Sequence, residues 1–155
     1  MSDEVAQFAE LCRDETALVS RLIVFLEQEQ QLLVTRALLG LEELAQQKDQ
    51  ALDLLSIKGR ERQLLAHKLG LKSVADVRAW VSDKAEPRSA WVQLEDTLQK
   101  ALVLNQFNGR YIDQGLQSSQ KALSVLKAAA ASSMGYGRDG SQGQISFGGR
   151  HFGSA

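Results

Sequence analysis

The chain has one cysteine, one proline and few aromatics, 6% of its 155 residues. A single thiol, Cys12, cannot close an internal disulfide, so nothing points to an oxidising compartment. No apolar run approaches the ~18 residues that a membrane helix requires, which argues against membrane insertion. The start, Met1-Ser2-Asp3-Glu4, is acidic where a secretory leader would be basic. The formal net charge is -1 with both signs interspersed. Such a chain lacks the positive field that holds phosphates, and nucleic acid is not an expected partner. These absences describe a soluble, cytoplasmic protein.

Constellations that make or break bonds are missing too. Di-metal helical bundles use Glu-x-x-His pairs, but the residue three before His67 is Leu64, and His151 stands in the tail. Cys12 has no histidine near it in sequence and reads as a small core residue. Glu15 and Glu29 lie on one predicted helix, about 21 Å apart at ~1.5 Å per residue, too far for paired acid–base work. Gly135-Tyr136-Gly137-Arg138-Asp139-Gly140 matches GxGxxG by letters. A dinucleotide fingerprint needs a strand before it and a helix after it, whereas here a helix precedes and glycine-rich coil follows. No enzyme, metal site or cofactor is expected.

What the chain does have is leucine and alanine, within a hydrophobic fraction of 44%. Both lose little freedom in helices. Phe8, Leu11, Leu18, Leu22, Phe25, Leu26, Leu32 and Leu33 recur at spacings of three and four, predicting a helix from about Asp3 to Arg36, with Glu15 and Glu29 interrupting its seam. Thr35 to Gly40 is the candidate turn. Leu41, Leu44, Ala51, Leu52, Leu55, Leu65 and Leu69 predict a second helix. Lys48, Lys58 and Arg62 are expected near its edge, stems on apolar surface and charges in water. Gly70 reads by type as a C-cap, and Ser73 with Asp76 resembles a capping box opening a short helix. Pro87 ends that region, and Trp80 and Trp91 on either side of it read as local core.

A third long helix is predicted from about Ser89 to Ala131, with Trp91, Leu94, Leu98, Leu102, Asn105, Ile112, Leu116, Leu123 and Leu126 on its seam. Asn105 and Asn108 admit two readings: they face solvent or satisfy each other, or they fix register on a leucine-rich seam. Gly109 and Gly115 each cost ~1 kcal/mol relative to alanine in a helix, and permit a close crossing or a docking groove. Seven of the 12 glycines follow residue 132, predicting a flexible tail that still carries Tyr136, Ile145, Phe147 and Phe152. The expected fold is all-α: an elongated antiparallel helical hairpin or coiled-coil bundle of three long helices and one short one, spanning 1–131, with a disordered Gly-rich tail over 132–155.

Three segments carry a resemblance to a known family. Leu104-Asn105-Gln106-x-Asn108-Gly109, then Gln120-Lys121-Ala122-Leu123-x-x-Leu126-Lys127, then Tyr136-Gly137-x-x-Gly140, resemble the C-terminal signature of the FlgN-type flagellar export chaperones. Upstream, Glu29-Gln30-Gln31-x-Leu33 and Gln47-Lys48-x-x-x-Leu52 resemble that family's first hairpin. The resemblance implies a cytoplasmic chaperone of flagellar type III export. It would bind hook–filament junction proteins before secretion, prevent premature assembly and deliver them to the export apparatus. Carried onto this chain, the client-binding region holds Asn105, Asn108, Gly109, Leu123, Leu126 and Tyr136, to which helical spacing adds Ile112 and Leu116. A monomer and a homodimer are both compatible with the sequence. The competing reading is a self-associating coiled-coil scaffold with no secreted client.

Overall fold

The computed structural model describes residues 2–111 and 116–131. Five helices account for nearly all of them: α1 Ser2–Val34, α2 Leu41–Lys68, α3 Val74–Val81, α4 Ala85–Gly109 and α5 Leu116–Ala131. The described residues include no strand.

Local chemistry sets the helix ends. Behind α1, the Ala37 N–H donates to Leu32 O at 2.9 Å and the Arg36 N–H to Leu33 O at 3.2 Å. This closure puts Arg36 at φ 60, a position usually held by glycine. Gly40, at φ 97, then admits the chain to α2. Gly70, at φ 81, closes α2 in the same way, with the Leu71 N–H donating to Ala66 O at 2.9 Å. Ser73 caps α3 by accepting the Asp76 N–H at 3.0 Å, while Asp76 accepts the Lys72 N–H. Pro87 does not end the preceding region as its type suggests. It is the third residue of α4, inside a first turn that has no intrahelical use for its missing N–H.

The helix directions follow from the contacts. Glu15 meets Arg62 and Glu29 meets Lys48, so α1 and α2 are antiparallel. Phe8 meets Trp91 while Leu26 meets Asn108, so α1 and α4 run parallel. α1 packs against α2 and α4, and α5 against α4 and α2. The consecutive helices α2 and α4 therefore occupy opposite corners of the bundle, and α3 lies in the connection between them. At this end the Phe8 ring stands 5.2 Å from Trp80 and 5.9 Å from Trp91. The core runs along the axis through Leu22, Leu26, Leu52, Leu55, Leu94, Leu98 and Leu126, all fully buried. Each such side chain contributes about 1.5–3 kcal/mol relative to exposure.

Two further expectations are corrected. The single helix predicted from Ser89 to Ala131 is two helices, α4 and α5. Asn105 Nδ2 donates to Ser119 O at 3.3 Å, whereas these residues would be about 21 Å apart on one straight helix. α4 ends where Gly109 weakens it, with the Tyr111 N–H turning back to Asn108 O at 2.9 Å. Folding back lets the apolar face of α5 reach the α2–α4 side of the core. The second correction concerns Lys48 and Arg62. Neither keeps its charge in water: both are fully buried and paired with α1. Lys58 does sit at the edge, half-exposed between Asp14 and Glu61.

Candidate functional site

The buried charges form two layers between α1 and α2. In one, the Arg62 guanidinium grips the Glu15 carboxylate through Nε to Oε1 and through a second nitrogen to Oε2 at 3.1 Å. Burial opposes the Arg62 charge, but Glu15 beside it more than compensates and holds the guanidinium above its ordinary value. Gly59 makes room for this pair, since a Cβ there would stand 3.1 Å from Glu15 Oε2. Trp91 lies with its ring 5.6 Å from the guanidinium carbon. In the other layer, Lys48 Nζ donates to both Glu29 oxygens at 2.9 and 3.1 Å. The layers are two heptads apart on both helices. A one-heptad slip would set Glu15 against Leu55 or Leu69, leaving a buried charge unpaired, so this spacing specifies one register.

The second layer extends into α4. Asn108 Nδ2 donates to Leu26 O at 2.8 Å and to Glu29 Oε1 at 2.9 Å. Asn105, one turn earlier, reaches α5. Both asparagines are buried, at 2% and 0% exposure, so neither faces solvent and neither satisfies the other. Among the described residues, the carboxamide Oδ1 of each is buried without a partner. Such an oxygen costs about 1–3 kcal/mol, and among the described residues these two are the unsatisfied side-chain atoms at that end of the bundle. Gly109 permits the close crossing: a Cβ there would lie 3.1 Å from Ser119 Oγ.

α5 supplies Leu126, fully buried, and Leu123, partly buried against the core. Asn105, Asn108, Gly109, Leu123 and Leu126 are thus brought onto one helical hairpin, by the chain reversal that the sequence reading lacked. Leu116 opens α5, but its side chain lies outside the described residues, as do Ile112 and Tyr136. Sequence reasoning missed Glu29 and Lys48 as the support behind Asn108. The matched two-heptad spacing of acids on α1 and bases on α2 was the available signal.

Outside the core, Lys121 of α5 reaches Asp53 of α2 at 3.0 Å and also contacts Asp49. Beside this contact a cleft of about 690 Å³ opens between α5 and α2, lined by residues including Glu42, Gln46, Asp49, Leu52 and Lys121. On another face a groove of about 760 Å³ runs between α1 and α4, with Ile23, Glu27, Lys100, Val103, Leu104 and Phe107 among its walls. The end of α1 and the turn after it expose Val34, Leu38 and Leu39.

Burial pushes the Cys12 thiol up to about 12, so it is a poor nucleophile where it stands. Among the described residues no group of three or more His, Cys, Asp or Glu is placed to hold a metal, and no helix is long and apolar enough to cross a membrane. What the arrangement offers is helical surface.

Comparison with known proteins adds two findings. The family model of the FlgN protein matches residues 1–144. A crystal structure from Pseudomonas aeruginosa, described as a flagella synthesis protein FlgN, is similar in fold, with a TM-score of 0.68 at 20% identity over 77% of this chain and 93% of that one. No curated protein matches the sequence.

Proposed function

The chain belongs to the FlgN family, and on that premise we propose that it is a cytoplasmic chaperone of flagellar type III export. It binds the terminal helical segments of hook–filament junction proteins, keeps them from assembling early and delivers them to the export apparatus. The observation that carries this reading is the match over residues 1–144, which includes the Asn-x-x-Asn-Gly and Tyr-Gly-x-x-Gly segments. The all-helical bundle with α4 and α5 paired at one end supports it. So does the chemistry: amphipathic client helices are covered by apolar helical surface, as in other helix-in-groove partnerships. Ordering a flexible client lowers net affinity, which suits a cargo that must be released.

The test is titration of the chain with the terminal segment of a junction protein, followed by calorimetry. Saturable binding is expected, together with its loss when residues from Leu116 onward are removed from a chain that circular dichroism shows to be still helical. Unchanged affinity of that truncation removes the assigned site. Tyr136→Ala is expected to weaken engagement of the client or of the export apparatus without lowering the melting temperature. A concentration-independent high-order oligomer with no affinity for flagellar proteins favours the scaffold reading instead.

A further inference from the structure

The assignment of Asn105 and Asn108 to client binding conflicts with their position, because both are buried beneath α5 or against α1. A client cannot touch them in this arrangement. We propose that α5 is an internal occupant of a helix-binding groove between α2 and α4, that a partner helix enters by displacing it, and that the freed apolar face of α5 then closes over the partner, so that removing α5 still loses binding. This inference rests on the function proposed above.

Four observations converge on it. Among the described side chains of α5 the buried ones are Ala122, Leu126, Ala129 and Ala130, three of them among the smallest apolar side chains, with Leu123 and Val125 only partly buried. The α2 side of α5 is not closely filled, since the cleft of about 690 Å³ lies there. Among the described residues no donor reaches Oδ1 of Asn105 or of Asn108 while α5 is seated. Finally, α1, α2 and α4 keep both charge layers and the Phe8 clasp among themselves, so their association does not depend on α5.

The same features describe the partner. It is an amphipathic helix with small residues where it crosses α4, a cation to replace Lys121 opposite Asp49 and Asp53, and a polar donor that reaches an asparagine oxygen. A partner with an acidic residue opposite Asp49 and Asp53 is disfavoured by like-charge contact.

The structure also supplies the lock. In a disulfide each Cβ stands about 3 Å from its partner's sulfur. The Cβ position at Gly109 lies 3.1 Å from Ser119 Oγ, so Gly109→Cys with Ser119→Cys can bridge α4 and α5. Cys12, buried and with its thiol raised to about 12, stays out of the exchange. The full-length double variant, oxidised and then reduced, is titrated with the terminal segment of a junction protein. Affinity is expected to fall at least tenfold on oxidation and to return on reduction. Lys121→Glu, which sets a third acid beside Asp49 and Asp53, is expected to act oppositely and tighten binding about two- to fivefold.

Equal affinity of the oxidised and reduced forms overturns the displacement. If neither these forms nor the unaltered chain binds the segment, the proposed function fails instead, and hydrogen exchange decides the fate of the lid. The amides of α5 are expected to exchange at least tenfold faster than those in the middle of α1 and α4, and to slow on oxidation. Equal protection across the three helices overturns the inference.

Discussion

The bundle contains two helical hairpins that solve the same problem differently. In α1–α2 the polar groups at the seam are charged and matched: Glu15 with Arg62, Glu29 with Lys48. On α4, where Asn105 meets α5 and Asn108 meets α1, they are neutral and only half matched, with no donor to either Oδ1 among the described residues. A matched buried pair makes every alternative register expensive. An unmatched amide does not, because any helix that brings a donor improves on the present arrangement. One hairpin is committed to its geometry, and the other leaves an interaction unfilled.

The contrast can be broken most forcefully at Arg62. Arg62→Ala strands the Glu15 carboxylate in the core and is expected to cost about 3–5 kcal/mol in denaturant unfolding. Replacing both partners, Glu15→Leu with Arg62→Met, should recover most of that loss. A double variant as unstable as the single one would show that register is held by something other than the pair. Asn108→Ala removes the bonds to Leu26 O and Glu29, where the two hairpins meet, and should cost about 1–3 kcal/mol.

Cys12 probes the committed side through pH. Its thiol is raised from an ordinary 9.0 to about 12. Above pH 9 the unfolded chain ionises this group and the folded chain does not, so the unfolded state binds fewer protons and stability falls as pH rises from about 9 to about 12. The slope is at most ~1.4 kcal/mol per pH unit. Thermal melts at pH 8 and pH 10 should diverge by less in Cys12→Ala than in the parent. The smallest effect belongs to Asn105→Leu. It deletes an orphaned oxygen along with one long hydrogen bond, and its melting free energy should stay within ~1 kcal/mol of the parent. A loss as large as that of Arg62→Ala would erase the distinction between the two hairpins.

The helices were legible because their seams repeat at three and four, and the turns because Gly40 and Gly70 stand where a left-handed residue is needed. Three things were not. Lys48 and Arg62 look like surface residues by type, and only a partner from α1 at the same depth makes their burial tolerable. The break after Gly109 was hidden because Ile112, Leu116 and Leu123 continue the apolar spacing across it. Spacing reports a face, and a chain that folds back can keep the same face. The asparagines were recognised as unusual, yet their partners lie on α1 and α5, at sequence distances no local pattern encodes.

The Phe8 clasp has a practical consequence. The chain's two tryptophans, Trp80 and Trp91, both sit in it. Intrinsic fluorescence therefore watches one end of the molecule, while circular dichroism sums over every helix. In a fully cooperative transition the two signals trace one curve. If α5 melts first, ellipticity will fall while emission stays constant, and the gap between the curves will measure its independence without any added label.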